Sequence, residues 1–239
     1  MTSKKRELED KEKELVWEFL SENGIEKGFF VEVGANDPEF LSQTWDFEKK
    51  GWTGVLVEPL PDRAELLRKN RPNSRVFEVA CGSPEQVGEA EFYVGIADQI
   101  SSLKKNIDDP NAQYVKSIRV RVLTLDSILE EAKAERVDFL SIDTEGTEID
   151  VLKGFNFQRW KPRLLLIEDK VHSLKKHFYI KSKGYRLVRR TGVNNWYIPE
   201  TVVPPKTSLW EKWYLLKKMY LGTPLRILKL KIKRWRART

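Results

Sequence analysis

The sequence predicts an α/β fold, a mostly parallel sheet with helices on both faces. Three observations predict it. Short apolar runs rich in β-branched residues recur along the chain, as in strands buried on both faces. Helical patterns separate several of these runs, which implies βαβ units. And 239 residues, 40% of them hydrophobic and eight of them Trp, suffice for one such domain with a little left over.

Residues 4–22 are the first expected helix. Leu8, Leu15, Val16, Phe19 and Leu20 recur at helical spacing among charges, and Asn23-Gly24 stops it. The expected strands are residues 29–34, 54–59, 76–82, 137–143 and 164–169. Helices are expected at 44–50, 62–70, 126–133 and 172–183, the last ending at Gly184. Residues 89–95 and 185–199 read as further strands at an antiparallel edge. Residues 96–117 are polar, contain Asp108-Asp109-Pro110-Asn111, and read as a long loop over the sheet edge. Long loops in compact domains are often functional.

Composition excludes several classes. The apolar content rules out global disorder. No apolar run approaches the roughly 20 residues of a membrane span. One Cys forms neither an internal disulfide nor a thiolate zinc cluster, and two His restrict zinc chemistry further. The charged N-terminus lacks a secretory pattern, so a cytoplasmic location is expected. The net charge of +7 is unevenly spread. Residues 206–239 hold 11 Lys/Arg and one acid, Glu211, a net of +10, which leaves residues 1–205 at −3. A nucleic-acid enzyme usually carries its basic face on the folded body, so this segregation gives the tail a partner of its own.

Ligands of open α/β sheets bind beyond the carboxyl ends of the strands, at the switch point. Here those ends gather acids. The first run carries Glu32 and then Gly34-Ala35-Asn36-Asp37; the second ends at Glu58; the fourth at Asp143-Thr144-Glu145-Gly146; the fifth at Glu168-Asp169. Glu58 lies about 20–25 residues after the glycine turn, where an acid accepts ribose hydroxyls. The turn has one glycine before Asp37-Pro38 rather than G-x-G-x-x-G. An acid there repels a pyrophosphate and welcomes a cation, such as the sulfonium and ammonium of S-adenosylmethionine.

FFVEVGAND at 29–37, Ser42-Gln43-Thr44, GWTGVLVEPLP at 51–61, SSL at 101–103, DFLSIDTEGTEIDVLKGF at 138–155 and LLLIE at 164–168 stand in order along the chain. Together they resemble the FkbM family of S-adenosylmethionine-dependent methyltransferases, over roughly residues 28–200. The resemblance implies the Rossmann-like class I methyltransferase fold, with a last antiparallel strand near 194–200. It divides the chain into an N-terminal helix (1–27), a methyltransferase domain (28–200) and a basic aromatic tail (201–239). It implies O-methylation of sugar hydroxyls in glycans or glycolipids, or of secondary metabolites. Glu32, Gly34, Ala35 and Asn36 would line the amino-acid half of the cofactor, with Ser42 and Pro59 also among the cofactor-binding residues. Glu58 would hold the ribose, and Ala80 and Cys81 would flank the adenine. Ser101 and Ser102 would close over it, and Asp143 would sit near the methyl group.

Methyl transfer from sulfonium to oxygen is an in-line displacement in which the enzyme mainly aligns the reactants. A sugar hydroxyl is a poor nucleophile, so a base or metal is expected. His172, Asp143 and Glu145 are the candidate catalytic residues. Asp143, Glu168 and Asp169 form a hard-oxygen set suited to Mg²⁺ or another divalent cation. His177 reads as helix surface and Glu148 as structural. An RNA methyltransferase and a non-catalytic partner module with a degenerate pocket are the alternatives. The intact acids argue against the module.

The tail mixes Trp, Tyr and Leu with Lys and Arg. Leu209, Trp213, Leu216 and Tyr220 share one helical face, Gly222-Thr223-Pro224 breaks it, and Leu225, Leu228, Ile232 and Trp235 share another. Residues 228–233 also alternate as a strand would. Basic amphipathic segments with interfacial aromatics read as membrane-surface anchors, which makes residues 206–239 a candidate contact with an anionic inner membrane face. Packing on the domain, packing on a second subunit and RNA contact are the competing readings.

Overall fold

The computed structural model describes residues 3–96, 100–105, 113–169 and 174–222, together with Leu225, Leu228 and Ile232. Its main sheet contains β1 (Phe29–Val33), β2 (Thr53–Val57), β3 (Ser74–Phe77), β7 (Phe139–Ile142), β8 (Leu164–Glu168), β9 (Tyr185–Thr191) and β10 (Asn194–Pro199). They stand in the order β3-β2-β1-β7-β8-β10-β9. The pairs among β3, β2, β1, β7 and β8 are parallel, and β10 is antiparallel to both β8 and β9. A second sheet, ordered β4-β6-β5, is made of β4 (Ala80–Cys81), β5 (Gly88–Gly95) and β6 (Tyr114–Leu123).

Strand alternation sorts the core into two faces. Val31, Val33, Val55, Val57, Leu140 and Ile142 point to one face, with α4 (Leu125–Glu131), α5 (Glu148–Lys153), α6 (Phe157–Trp160) and α7 (Leu174–Ser182) above it. Phe30, Leu56, Phe139, Leu164 and Leu166 point to the other. There α1 (Ser3–Glu22), α2 (Trp45–Lys49) and α3 (Pro61–Asn70) cover the sheet through Val16, Phe19, Leu20, Phe47 and Leu67. Burial on both faces explains why these strands read as continuous apolar runs.

Three sequence expectations are corrected. The run 76–82 is not one strand: β3 ends at Phe77, and the chain crosses to the second sheet, where Ala80 and Cys81 pair with Val122 and Leu123. Residues 88–95 are not at the main sheet's edge but pair antiparallel with β6. And 96–117 is not all loop, because β6 begins at Tyr114. Its period-2 signal, Ile118, Val120 and Val122 inward with arginines between, lies mostly beyond the stretch read as loop. The expected edge at 185–199 is the β9–β10 hairpin. Leu225, Leu228 and Ile232 are each helical, so the strand alternative fails at the described tail positions; the helical run from Leu209 ends at Leu221 with Gly222 as its cap, and Thr223-Pro224 of the expected break lie outside the described residues. Among the described residues, no helix is long and apolar enough to cross a membrane.

Glu12 locks α1 onto the hairpin. Its carboxyl accepts from Asn194 Nδ2 at 2.7 Å, Trp196 Nε1 at 3.3 Å and the Thr191 hydroxyl. Burial pushes this carboxyl up to about 7, against the pull of the Asn194 and Trp196 hydrogen bonds. The folded state therefore holds a proton that the unfolded chain releases near 4.5, so this contribution is complete below that pH and is lost as pH rises toward 7. Glu12→Gln removes the dependence. In denaturant melts its stability should gain on the parent by on the order of 3 kcal/mol between pH 4.5 and pH 8.

Candidate active site

Register aligns the strand ends. Val33 pairs with Val57 and with Ile142, and Ile142 with Ile167. The residues that follow, Gly34, Glu58, Asp143 and Glu168, therefore stand in a row. The sheet order reverses at β1, between β2 and β7, which makes this row the switch point.

The turn after β1 is set by contact. Gly34 has φ +85°, and a Cβ there would lie 1.9 Å from the Asp143 carbonyl oxygen. Gly34 N donates to Val57 O at 2.9 Å. Asn36, also left-handed at φ +46°, donates its N–H to Glu58 Oε2 at 2.9 Å. Glu58 Oε1 accepts from Leu60 N at 2.8 Å. The Glu58 side chain is buried, yet it borders an open cleft. These two backbone bonds fix the orientation of the carboxylate.

That cleft gathers most of the expected site. Gly34, Asn36, Glu58, Pro59, Ala80, Cys81, Ser101, Asp143 and Glu145 all line it. Val79 and Phe92 join Ala80 and Cys81 in an apolar wall, and Leu103 and Thr147 were not foreseen. Burial pushes the Cys81 thiol far up, so it is a neutral wall and not a nucleophile. Ser101 Oγ accepts from Gly95 N at 3.0 Å. Ser102 turns away and donates to the Thr144 carbonyl at 3.1 Å, tying the loop to the end of β7. Two buried oxygens at the cleft, Asn36 Oδ1 and Thr144 Oγ1, have no partner among the described residues. Buried polar atoms are normally satisfied, so both fit a ligand that donates to them.

Glu32, Ala35 and Ser42 do not line the cleft. Ala35 is core. Glu32 points to the opposite face from Val31 and Val33, and accepts from Ser42 Oγ at 2.9 Å, Gln43 N at 2.7 Å and Thr44 Oγ1 at 2.5 Å. Behind it lies a buried group that the sequence reading missed. Arg71, fully buried, donates to Glu48 at 2.5 Å, Thr44 Oγ1 at 2.8 Å, the Pro38 carbonyl at 3.1 Å and Ser42 Oγ at 3.2 Å. Glu48 also accepts from Asn73 N at 2.9 Å and Ser74 Oγ at 2.6 Å. This network pins the segment 38–44 beside the cleft.

The acids at the β7 and β8 ends come together in part. One carboxylate oxygen each of Asp143, Glu145 and Glu168 lies within 4.8 Å of the others. Glu145 adopts φ +52°, the left-handed region, to join them. Asp169 is corrected out of the expected metal set. Successive residues leave a strand on opposite sides, and Asp169 meets Lys176 Nζ at 3.4 Å and Asn195 Nδ2 at 3.1 Å instead. Lys176 is buried and also bonds Glu148 at 3.0 Å and the Glu168 carbonyl at 2.5 Å. Burial alone would lower its pKa, but Glu148, Asp169 and Glu168 outweigh it and hold the amine above its ordinary range. Lys176 is therefore a charged clamp, and Glu148 is structural, as expected. His172 lies outside the described residues. His177, expected on the surface, is buried, because Tyr197 and Tyr220 of the tail enclose its two ring nitrogens at 3.3 and 2.9 Å.

An acid-rimmed cleft at the switch point of a parallel sheet with β10 inserted antiparallel defines a Rossmann-like domain of the methyltransferase type. Residues 32–187 match the Methyltransferase FkbM domain, so the chain belongs to that family. No curated protein matches the chain. The crystal structure of methyltransferase FkbM from Methylobacillus flagellatus KT is similar at 18% identity, over 72% of this chain and 44% of that one, with a TM-score of 0.49. This chain thus spans less than half of that relative. Precorrin-6y C5,15-methyltransferase from Geobacter metallireducens GS-15 is similar at 11% identity, over 75% of this chain and 83% of that one, with a TM-score of 0.36. The family assignment rests on the domain match and the strand order, not on these overlays.

The turn contact can be tested against a glycine of like conformation in open space. Gly24 has φ +77° with nothing near its Cβ position. Gly24→Ala should cost roughly 1–2 kcal/mol from backbone strain alone. Gly34→Ala adds a collision with rigid backbone and should cost more than about 4 kcal/mol. Urea midpoints of the two variants read the difference.

Proposed function

We propose that this chain transfers a methyl group from S-adenosylmethionine to a hydroxyl of a sugar in a glycan or glycolipid. Glu58 carries the reading. A buried carboxylate, aimed by two backbone N–H groups at the edge of the switch-point cleft, suits the paired hydroxyls of a ribose. S-adenosylmethionine supplies a methyl group already activated on a sulfonium. The residues of the chain then bind and orient. Ala80, Cys81, Val79 and Phe92 offer the adenine an apolar wall. Asn36 Oδ1 and the carboxylates of Asp143 and Glu145 suit the cationic end.

The rim formed by Asp143, Glu145 and Glu168 supports a sugar acceptor. Converging carboxylates accept hydrogen bonds from neighbouring hydroxyls and draw their protons away. In the transfer the oxygen–carbon bond would form as the carbon–sulfur bond breaks, the donor leaving as a neutral thioether, while the hydroxyl proton would pass to a base, assigned here to His172. A small hydroxylated metabolite would meet the same rim, and a panel of labelled-methyl assays on free, lipid-linked and nucleotide-linked sugars against such metabolites separates the two. The same three carboxylates could instead gather a divalent cation. Turnover that survives EDTA supports proton transfer without it; turnover abolished by EDTA and restored by Mg²⁺ assigns the acids to the ion.

Calorimetry with S-adenosylmethionine should give saturable binding that Glu58→Gln weakens roughly 10–100-fold, as for a lost charged hydrogen bond. No binding by the parent chain would favour a partner module. For the base, His172→Ala should lower turnover by roughly 10²–10⁴ with donor affinity intact. Unchanged turnover in His172→Ala moves the proton to Asp143 or Glu145.

A further inference from the structure

The tail is docked on one side and bare on the other. After β10 the chain runs past Arg189, whose guanidinium donates to the Lys206 carbonyl at 2.8 Å and pairs with Glu211 at 3.4 Å. Ser208 then caps α8 (Leu209–Leu216), which packs on β9 and continues as a π turn over Lys217–Leu221. Met219 is fully buried, and the Tyr220 hydroxyl meets His177 Nε2 at 2.9 Å. These contacts fix the inner side.

The outer side is apolar and exposed. Leu209 is 85% exposed, Trp210 67%, Leu216 57% and Leu221 67%. Trp210 and Trp213 stack at 5.0 Å, offering two indoles side by side. Lys217 lies 4.7 Å from the Trp213 ring centre and Lys218 5.2 Å from that of Tyr214, ammonium groups lying alongside the apolar face. Leu225, Leu228 and Ile232 extend the exposed apolar series.

We infer that this face lies on the surface of an anionic lipid bilayer, with Trp210 and Trp213 at headgroup depth. Three observations select that occupant. The tail carries 11 basic residues and one acid, and that acid is already paired with Arg189. Its partner is therefore anionic, and a second copy of a +10 tail is repelled. The exposed side chains include Leu209, Leu216, Leu221, Leu225 and Leu228, which neither stack on bases nor bond phosphates, so RNA leaves them in water. A bilayer accepts both, aliphatic groups below the headgroups and ammonium groups among them. Each basic residue near an anionic leaflet raises partitioning about fivefold.

Because Met219 and Tyr220 anchor the tail to the body, the test uses point variants of the full chain rather than a truncation. Vesicles of phosphatidylcholine with phosphatidylglycerol should float the parent chain, and phosphatidylcholine alone should not. Trp210→Ser with Trp213→Ser, at exposed positions, should reduce flotation by about tenfold or more at an unchanged melting temperature. High salt should reduce it in the parent. Absence of flotation overturns the inference, as does equal flotation of parent and double variant. A concentration-dependent dimer that the double variant dissolves assigns the face to a second copy and overturns it too. An RNA complex that the variant loses, without vesicle binding, has the same force. Each readout is binding and not turnover, so it stands or falls apart from the methyl-transfer reading.

Discussion

The approach of β1 to β7 at Gly34 is the constraint on which the site depends. With the Asp143 carbonyl where a Cβ would be, the chain turns tightly after Val33 and brings Asn36 N against the Glu58 carboxylate. Three strand ends are fixed by that packing: β1 through the turn, β2 through Glu58 and β7 through Asp143. A looser turn would leave Glu58 buried with one backbone donor fewer, and an under-bonded buried carboxylate is costly. The glycine thus governs both the shape of the cleft and the charge at its edge.

Two buried cations hold the two flanks of this centre. On one side Arg71 joins Glu48 to the 38–44 segment and, through Ser42 and Thr44, to Glu32. On the other Lys176 joins Glu148 and Asp169 and caps the Glu168 carbonyl. Buried pairs of this kind add little net stability, since desolvation offsets attraction, but losing one partner strands the other charge. Their effect here is positional. Arg71 bonds two loop hydroxyls and a backbone carbonyl at once, and Lys176 ties α7 to the strand end that carries the acid cluster.

The tail repeats the pattern at the surface. Its inner side is held by specific polar contacts, His177 to Tyr220 and Arg189 to Glu211. Anchored on one side, α8 shows Leu209, Trp210 and Leu216 to solvent on the other. Residues 176 and 177 of α7 touch, respectively, the acid end of the cleft and the tail. The anchor of the tail and the candidate site therefore share one helix.

Much was legible in the sequence because its cause is local. Apolar runs buried on both faces, helix stops at Gly, and acids at strand ends depend on neighbours a few residues away, so the parallel sheet and the row Gly34, Glu58, Asp143 and Glu168 could be read directly. The crossing from β3 to the second sheet could not, since nothing in residues 76–82 says that pairing changes partners at Glu78-Val79. Nor could the burial of Arg71, Lys176 and His177, because a charged or polar residue looks the same in sequence whether water or a distant carboxylate satisfies it. Asp169 shows the limit most plainly. The sequence determined that two acids end β8, and only the packing of α7 decided that one faces the cleft cluster while the other neutralises a buried lysine.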